Sequence, residues 1–233
     1  MLRNFIFSLF FFTGIIIISI FFLPSFFLPK QVVILGGKLM GHWTSFCLKI
    51  FLSTKIIIKG TENIIKNEKF FIASSHQSMF ETFFLQTLFD SPVFILKKEL
   101  LFIPIFGWYL KKIGSISIKR GHVTKDNLGF YDEISNIVTN SNRPLIIFPQ
   151  GTRVLPDERP PFKKGASKIY EKLKIACQPI AINSGYVWPK SSRKISNKTI
   201  TISILQRINN DLDKEIFLKT LENKIYTELD LIN

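Results

Sequence analysis

The chain has few cysteines and few histidines. Its two cysteines, Cys47 and Cys177, cannot form a disulfide framework and have no metal-ligand spacing. The three histidines lie far apart in sequence and follow no ligand pattern, so no metal site is expected. A Gly-x-Ser-x-Gly elbow is absent as well, and nothing therefore indicates a serine acyl-enzyme. No cofactor is expected on these grounds.

Negative charge is also scarce. The 233 residues include 17 acidic and 31 basic side chains, which gives a formal net charge of +14. Such an excess predicts an anionic partner, either nucleic acid, an acidic membrane surface or a phosphorylated substrate. The 24 phenylalanines and a mean hydropathy of +0.22 favour lipid. The basic stretch at 189–198 is too short for a nucleic-acid site, and no nucleic-acid motif is present. We therefore expect membrane lipid as a partner and no nucleic acid.

The N-terminus contains a long uncharged run, Phe5–Leu28, which predicts a helix able to cross a hydrocarbon core of roughly 30 Å. A cleaved signal peptide is the alternative, but its apolar region is usually about 7–15 residues and ends at small residues. A second apolar stretch, Val32–Leu52, is interrupted by polar residues and predicts an interfacial helix with Trp43 at headgroup depth. Residues 1–55 are thus predicted to form a membrane-anchoring helix pair. Whether the first helix spans the bilayer or stays in one leaflet is left open.

The charges around the first apolar run predict its orientation. Before the run only Arg3 and the terminal amine are positive, whereas lysines are frequent after it, at positions 30, 38, 49, 55 and 59. The positive-inside rule therefore places the body of the protein on the cytoplasmic side, as in a bacterial inner membrane.

Residues 56–233 have the pattern of an α/β domain, in which short β-branched and aromatic runs alternate with helical segments. A reactive or basic cluster comes directly after each of five runs: Phe70–Ser74, Pro92–Leu96, Gly114–Ile118, Pro144–Phe148 and Pro179–Asn183. The carboxyl ends of parallel strands meet at one sheet edge, where α/β proteins place their ligands. A mostly parallel or mixed sheet flanked by helices is expected. Asp211–Leu229 predicts a packing helix, and Leu100–Leu110 reads as ordinary core, with the lining of an acyl-chain tunnel as the alternative.

The segment after the first of these strands contains His76 and, five residues later, Glu81. A histidine on the loop and a carboxylate in the first helical turn can meet, and the carboxylate then fixes the tautomer of the general base. Ser78 would cap that helix, and Ser78-x-x-Glu81 also has the spacing of a capping box. Glu81 therefore has two candidate roles, and the spacing alone favours the capping role.

Four ordered blocks resemble the glycerolipid acyltransferases, of the 1-acyl-sn-glycerol-3-phosphate (lysophosphatidate) acyltransferase group. The first, Ser75-His76-Gln77-Ser78 through Glu81, resembles the His-x4-Asp motif of that family. The others are Lys97-Lys98-Glu99-Leu100 to Ile118-Lys119-Arg120-Gly121, Phe148-Pro149-Gln150-Gly151-Thr152-Arg153, and Pro179 to Gly185. Two positions depart from the family pattern, because Glu81 stands where Asp is usual and Gln150 where Glu is usual.

The resemblance implies transfer of a fatty acyl group from acyl-CoA or acyl-carrier protein to the 2-hydroxyl of lysophosphatidate. It implies His76 as general base oriented by Glu81, and Gly151, Thr152 and Arg153 as the phosphate-binding loop. Further substrate contacts are expected from Lys98, Arg120 and Gln150, with Lys97 as well placed as Lys98. The departure at Gln150 leaves open another lysolipid acceptor, such as lyso-ornithine lipid. A non-catalytic lipid-binding protein is the remaining alternative.

Overall fold

A computed structural model describes residues 2–118, 129–190 and 193–232. Two long helices open the chain, α1 (Leu2–Phe21) and α2 (Lys30–Leu52), and a short 3-10 turn at Leu23–Phe27 joins them. A proline lies in this turn and another precedes α2, and proline lacks the backbone donor that a continuing helix needs. The uncharged run predicted as one helix to Leu28 therefore ends as a helix at Phe21.

The two helices pack against each other as a hairpin. The ring of Trp43 lies against Gly14, and its Nε1 donates a hydrogen bond to the carbonyl of Phe11 at 3.3 Å. Trp43 thus belongs to the contact between the helices, and its predicted position at headgroup depth stays a prediction. By length and composition α1 could cross a membrane. Large apolar side chains on both helices are exposed, among them Phe5, Phe12, Ile16, Leu35 and Phe46.

The body after the hairpin is an α/β sandwich around one seven-stranded sheet in the order β1-β7-β6-β2-β5-β3-β4. Its strands are β1 (Lys55–Lys59), β2 (Phe70–Ser74), β3 (Val93–Lys97), β4 (Ile116–Ile118), β5 (Leu145–Ile147), β6 (Ala176–Ile182) and β7 (Thr199–Ile204). Its helices are α3 (Phe80–Leu88), α4 (Phe106–Lys112), α5 (Phe130–Asn140), α6 (Gly165–Leu173) and α7 (Lys214–Ile232). Among the described residues, these strands pair in parallel except for β6 with β7.

The predicted α/β fold with a mixed sheet is confirmed. The five predicted strands are β2 to β6, which form the parallel part of the sheet. The strand predicted from Gly114 begins only at Ile116, because Gly114 adopts a φ of 74° and its N–H is bonded to Lys111 at the end of α4. The edge strand β1 and its neighbour β7 were not predicted. The packing helix predicted from Asp211 begins at Lys214.

Successive side chains of a strand point to opposite faces of the sheet, so the core has two layers. In β2, Phe71 and Ala73 face the helices α5, α6 and α7, whereas Ile72 faces the layer that contains α1 to α4. The N-terminal hairpin shares this second core, since Phe7 and Leu48 are fully buried in it. The division at residue 55 into an anchor and an acyltransferase domain stays a prediction.

Candidate active site

The loops after the parallel strands bring most of the predicted site residues to one edge of the sheet. His76 lies after β2, Lys97 ends β3, the segment 148–153 lies after β5, and Ser184 lies after β6. This clustering results from the parallel topology, in which the carboxyl ends of the strands lie side by side. Arg120 lies outside the described residues, so its predicted role stays a prediction.

The predicted pair of His76 and Glu81 meets in space. Nδ1 of His76 lies 3.4 Å from Oε2 of Glu81. This distance is longer than an ordinary hydrogen bond, and Nδ1 is buried with no hydrogen-bond partner within the part of the chain described. The histidine side chain keeps 13% of its surface exposed while that of Glu81 is fully buried. Since Nδ1 is covered, the accessible part of the ring lies elsewhere, on the side of the cavity that His76 lines.

Glu81 is held in place by bonds from three directions. Its carboxylate accepts the backbone N–H of Gln77 at 3.2 Å and that of Ser78 at 3.1 and 3.2 Å. The hydroxyl of Ser184 donates to Oε1 from the loop after β6. Hydrogen bonds to a charged acceptor are stronger than those to a neutral one, so these contacts fix the position of the side chain. Glu81 thus makes the capping contact and also lies beside His76, and its role in orienting the histidine stays a prediction.

The cap of α3 differs slightly from the predicted capping box. The hydroxyl of Ser78 accepts the N–H of Phe80 at 2.8 Å, which stabilises the start of the helix. The reciprocal bond runs from the N–H of Ser78 to Glu81, as in a capping box. Met79, however, is the residue that directly precedes the helix.

The loop after β5 fixes His76 from the other side. The ring of Phe148 stacks on the imidazole with a centroid distance of 4.0 Å and an angle of 17°. Oε1 of Gln150 accepts the backbone N–H of His76 at 2.7 Å, and the carbonyl of His76 accepts the N–H of Val154 at 2.9 Å. Gln150 is buried to 2% exposure. Gln150 therefore holds the backbone of His76 in this geometry, and its predicted contact with substrate stays a prediction.

A cavity of about 540 Å³ opens beside His76 and runs between α2, α3 and α4. Its inner walls are apolar, with Val33 and Met40 from α2, Phe83 from α3, and Phe106 and Leu110 from α4. The glycines of α2 at positions 36 and 37 also line it, and their lack of a side chain leaves room between the helices. A cavity of this size and lining fits a flexible apolar chain.

The mouth of this cavity is positively charged. Lys97, Arg153 and Lys190 line it together with Thr152. Gly151 provides the turn before them, with a φ of 73° that favours glycine, and the stem of Lys163 lies across it. Lys98 is half-buried in the 3-10 turn after β3 and is not part of the lining, so Lys97 is the lysine of that pair that faces the cavity.

Three contributors to the site were missed by sequence reasoning: Ser184, Phe148 and Lys190. Ser184 comes after the fifth predicted strand, so its position gave a signal, although its bond to Glu81 depends on tertiary structure. Phe148 and Lys190 offered no signal of their own, because a phenylalanine at a strand end and a lysine in a basic loop are common. Across residues 2–118, 129–190 and 193–232, no cluster of three or more metal-ligating side chains occurs.

A His–carboxylate pair thus lies at the carboxyl ends of the parallel strands, beside an apolar cavity with cationic residues in its lining. The family model described as Acyltransferase matches residues 55–183. The chain therefore belongs to the acyltransferase family.

Its relatives carry a common name. It is 31% identical over 153 residues to the 1-acyl-sn-glycerol-3-phosphate acyltransferase of Pseudomonas aeruginosa. The aligned region is 64% of this chain and 59% of that protein. It is 30% identical over 162 residues to the protein of the same name from Helicobacter pylori, covering 67% of each. A third such protein, from Cocos nucifera, is 29% identical over 177 residues, or 75% of this chain and 56% of its own length. The chain thus spans somewhat more than half the length of the Pseudomonas and Cocos proteins.

The fold also matches a solved structure. The crystal structure of the 1-acyl-sn-glycerophosphate (LPA) acyltransferase PlsC from Thermotoga maritima superposes with a TM-score of 0.81, over 100% of this chain and 98% of that one. The sequence identity of 21% limits this likeness to the fold.

Proposed function

We propose that this protein transfers a fatty acyl group from an acyl thioester to the sn-2 hydroxyl of lysophosphatidate, which yields phosphatidate for phospholipid biosynthesis. The observation that carries the proposal is the placement of the His76–Glu81 pair at the junction of an apolar cavity and a cationic mouth. A lysophosphatidate molecule matches these two parts, because it has an apolar chain and a phosphate. The names of the relatives support the same substrate.

In the proposed mechanism His76 acts as a general base. Its Nε2 takes the proton of the substrate hydroxyl as the oxygen attacks the thioester carbonyl carbon. The carbon–sulfur bond then breaks, and the leaving thiolate takes that proton back from the imidazolium. Glu81 stabilises the imidazolium in between through its charge, 3.4 Å from Nδ1. The hydroxyls of Ser75 and Ser184 are buried and bonded, respectively, to Ile182 and Glu81, which favours direct transfer over a serine acyl-enzyme.

The phosphate of the acceptor is proposed to bind at the cationic mouth. Arg153 offers a planar fork of donors that matches phosphate oxygens, and Lys97 and Lys190 add charge from the two sides. Gly151 allows the backbone of the turn to approach closely, and Thr152 adds an exposed hydroxyl. Gln150 and Phe148 act as positioning residues for His76. The acyl chain of one substrate would occupy the apolar cavity.

The placement of α1 supports a position within one leaflet. Asn4 near its start exchanges two hydrogen bonds with Lys194, and Ser19 near its end accepts a bond from the hydroxyl of Tyr109. A helix of 20 residues is about 30 Å long, and both of its ends contact the body. It cannot cross a bilayer while the body stays on one side. We therefore infer that the hairpin lies in one leaflet.

A hairpin within one leaflet also bears on which side of the membrane the body of the protein occupies. The positive-inside rule applies to helices that span, so it no longer determines the side on which the body lies. A location on the cytoplasmic face of a bacterial inner membrane rests instead on the donors, since acyl-CoA and acyl-carrier protein are cytoplasmic. Both donors remain candidates.

The test is an assay of the detergent-purified protein with lysophosphatidate and either donor, in which phosphatidate formation is measured. His76→Ala should lower kcat by about 10²–10⁴-fold while the melting temperature holds, because a positioned base contributes that much. His42→Ala is the matched control, since His42 is exposed on α2 outside the cavity. Equal activity of wild type and His76→Ala would refute the assigned base.

The same assay discriminates between the other candidate functions. Transfer to lyso-ornithine lipid but not to lysophosphatidate would establish the alternative acceptor. Gln150, which left that alternative open, is buried against His76 and therefore carries no argument about the acceptor. Absence of transfer with every acceptor and donor would favour a non-catalytic lipid-binding protein.

A further inference from the structure

The segment from Lys98 to Lys112 has two faces. It contains the 3-10 turn Lys98–Phe102 and the helix α4. Four of its residues line the cavity: Leu100, Phe106, Tyr109 and Leu110. Three other large apolar residues point outwards instead, with Phe102 exposed to 75%, Ile103 to 44% and Trp108 to 53%. The segment is therefore a wall whose inner and outer surfaces are both apolar.

An unusual backbone turn lies in the middle of this segment. Ile105 adopts a φ of 63° and a ψ of −58°, and the N–H of Phe106 is bonded to the carbonyl of Pro104 at 2.6 Å. This is a γ-turn, which costs energy for a β-branched residue. It lies between the exposed Ile103 and Pro104 and the cavity-lining Phe106. The strained turn thus lies directly beside apolar residues that are exposed.

This outer surface is continuous with the N-terminal hairpin. Phe26 in the turn between α1 and α2 packs edge-on against Trp108 at 5.7 Å and stacks on Tyr109 at 5.0 Å. Nζ of Lys112 donates to the carbonyl of Phe26 at 2.6 Å. The next residue, Phe27, is 95% exposed. Phe26 thus connects the hairpin turn, which carries the exposed Phe27, to the exposed Trp108 of the 98–112 segment.

The charge around this surface identifies what covers it. Between residues 93 and 118 the chain has four lysines, at positions 97, 98, 111 and 112, and one acidic residue, Glu99. Exposed Lys30, Lys97 and Lys111 flank the aromatic residues. Large exposed apolar patches mark interaction sites, and a basic rim with an interfacial tryptophan is typical of contact with anionic lipid.

We propose that the 98–112 segment is a second membrane-contacting element, in which Phe102, Ile103 and Trp108 enter the boundary between headgroups and acyl chains beside Phe27. The partner is an anionic phospholipid surface. The segment then separates the bilayer from the cavity by the thickness of one helix and one turn. The proposal concerns the lipid surface and does not depend on the acyl-transfer reaction.

The experiment uses single introduced cysteines, because Cys47 and Cys177 are both fully buried and will not compete for label. Phe102→Cys and Trp108→Cys are labelled with an environment-sensitive fluorophore in the full chain, which is reconstituted into vesicles of phosphatidylcholine and phosphatidylglycerol. Ile216→Cys is the matched control, since Ile216 is 55% exposed on α7, on the opposite face of the sheet. Aqueous iodide and a quencher carried on lipid acyl chains are then compared.

Labels at 102 and 108 should be quenched by the lipid-borne group, and iodide should quench them at least about fivefold less than the label at 216, because ions are excluded from the apolar boundary. Labels at 102 and 108 that behave like the label at 216 would overturn the proposal. Shielding from iodide without quenching by lipid would also overturn it and would indicate a second copy of the chain on this surface. An inactive enzyme whose labels are quenched by lipid would contradict the proposed acyl transfer and still support membrane contact by the 98–112 segment. The experiment therefore distinguishes the failure of one proposal from the failure of the other.

Discussion

The carboxylate of Glu81 offers the sharpest test of the catalytic argument, through the variant Glu81→Gln. Two unit charges 3.4 Å apart interact by about 5 kcal/mol at an effective dielectric constant of about 20. The amide dipole that replaces the carboxylate recovers part of this energy, so we expect the imidazolium-like transition state to lose about 3–4 kcal/mol. This corresponds to a fall in kcat of roughly 10²–10³-fold.

The same substitution has a separate effect on stability. The carboxylate accepts the N–H groups of Gln77 and Ser78, and an amide cannot accept with its nitrogen. Hydrogen bonds to a charged acceptor contribute about 1.5–3 kcal/mol each, and we expect an overall loss of about 2–4 kcal/mol. The melting temperature should fall by roughly 5–15 °C for a chain of this size. Kinetics must therefore be measured well below the melting temperature of the variant.

Two companion variants separate the capping role from the catalytic role. Ser78→Ala removes the acceptor for the N–H of Phe80 and should cost about 1 kcal/mol of stability, with kcat unchanged. Glu81→Asp keeps the charge with one methylene less, so we expect a kcat between those of wild type and Glu81→Gln. The measurements are kcat with both substrates saturating and thermal melting in the same detergent. Destabilisation of Glu81→Gln with a kcat within about threefold of wild type would refute the electrostatic role and leave only the cap.

Three other perturbations test separate parts of the molecule. Arg153→Ala should raise KM for lysophosphatidate by about 10–100-fold with a smaller change in kcat, because a charge-assisted bond to phosphate is lost; an unchanged KM contradicts the phosphate assignment. Met40→Trp narrows the apolar cavity and should shift preference towards shorter acyl chains in a mixed-donor competition assay, whereas an identical product profile contradicts that use of the cavity. Burial raises the pKa of Tyr226 from about 10 to about 12, so its contribution to stability is complete below about pH 10 and is lost as the pH rises through about 12. The loss should be about 1 kcal/mol after solvent screening, and Tyr226→Phe should lack it in denaturant titrations.

The local patterns predicted the five neighbouring strands β2 to β6 well, but not β1 and β7, which lie together at one side of the sheet. Two sequence signals indicate each of the strands β2 to β6: its apolar run, and the reactive or basic residues at its carboxyl end. The edge strand β1 begins and ends with lysine and has no such cluster, and β7 alternates threonine with isoleucine after a polar loop. Their pairing with each other joins segments about 144 residues apart, which no local pattern records.

The site shows the same division between local and non-local information. His76 and Glu81 were predictable because both lie within one strand-to-helix connection. The buried position of Gln150 was not, because a polar residue in a presumed phosphate loop is expected to face substrate. Its bond to the N–H of His76 joins residues 74 positions apart. Leu100–Leu110 was expected to be ordinary core, and that interpretation is wrong for Phe102 and Trp108, which the hairpin turn and the sheet leave exposed.

The walls of the cavity argue that the hairpin and the α/β body work as one unit. α2 contributes Val33, Met40 and two glycines to the lining, while Leu35 and Leu39 on the same helix face outwards. One helix thus has exposed apolar residues on one side and cavity-lining residues on another. An acyl chain that moves from a bilayer to this cavity would remain in apolar surroundings, which avoids the cost of about 0.8 kcal/mol for each methylene exposed to water. A body without the hairpin would lose this wall, and His76 would then stand at an open groove in contact with water.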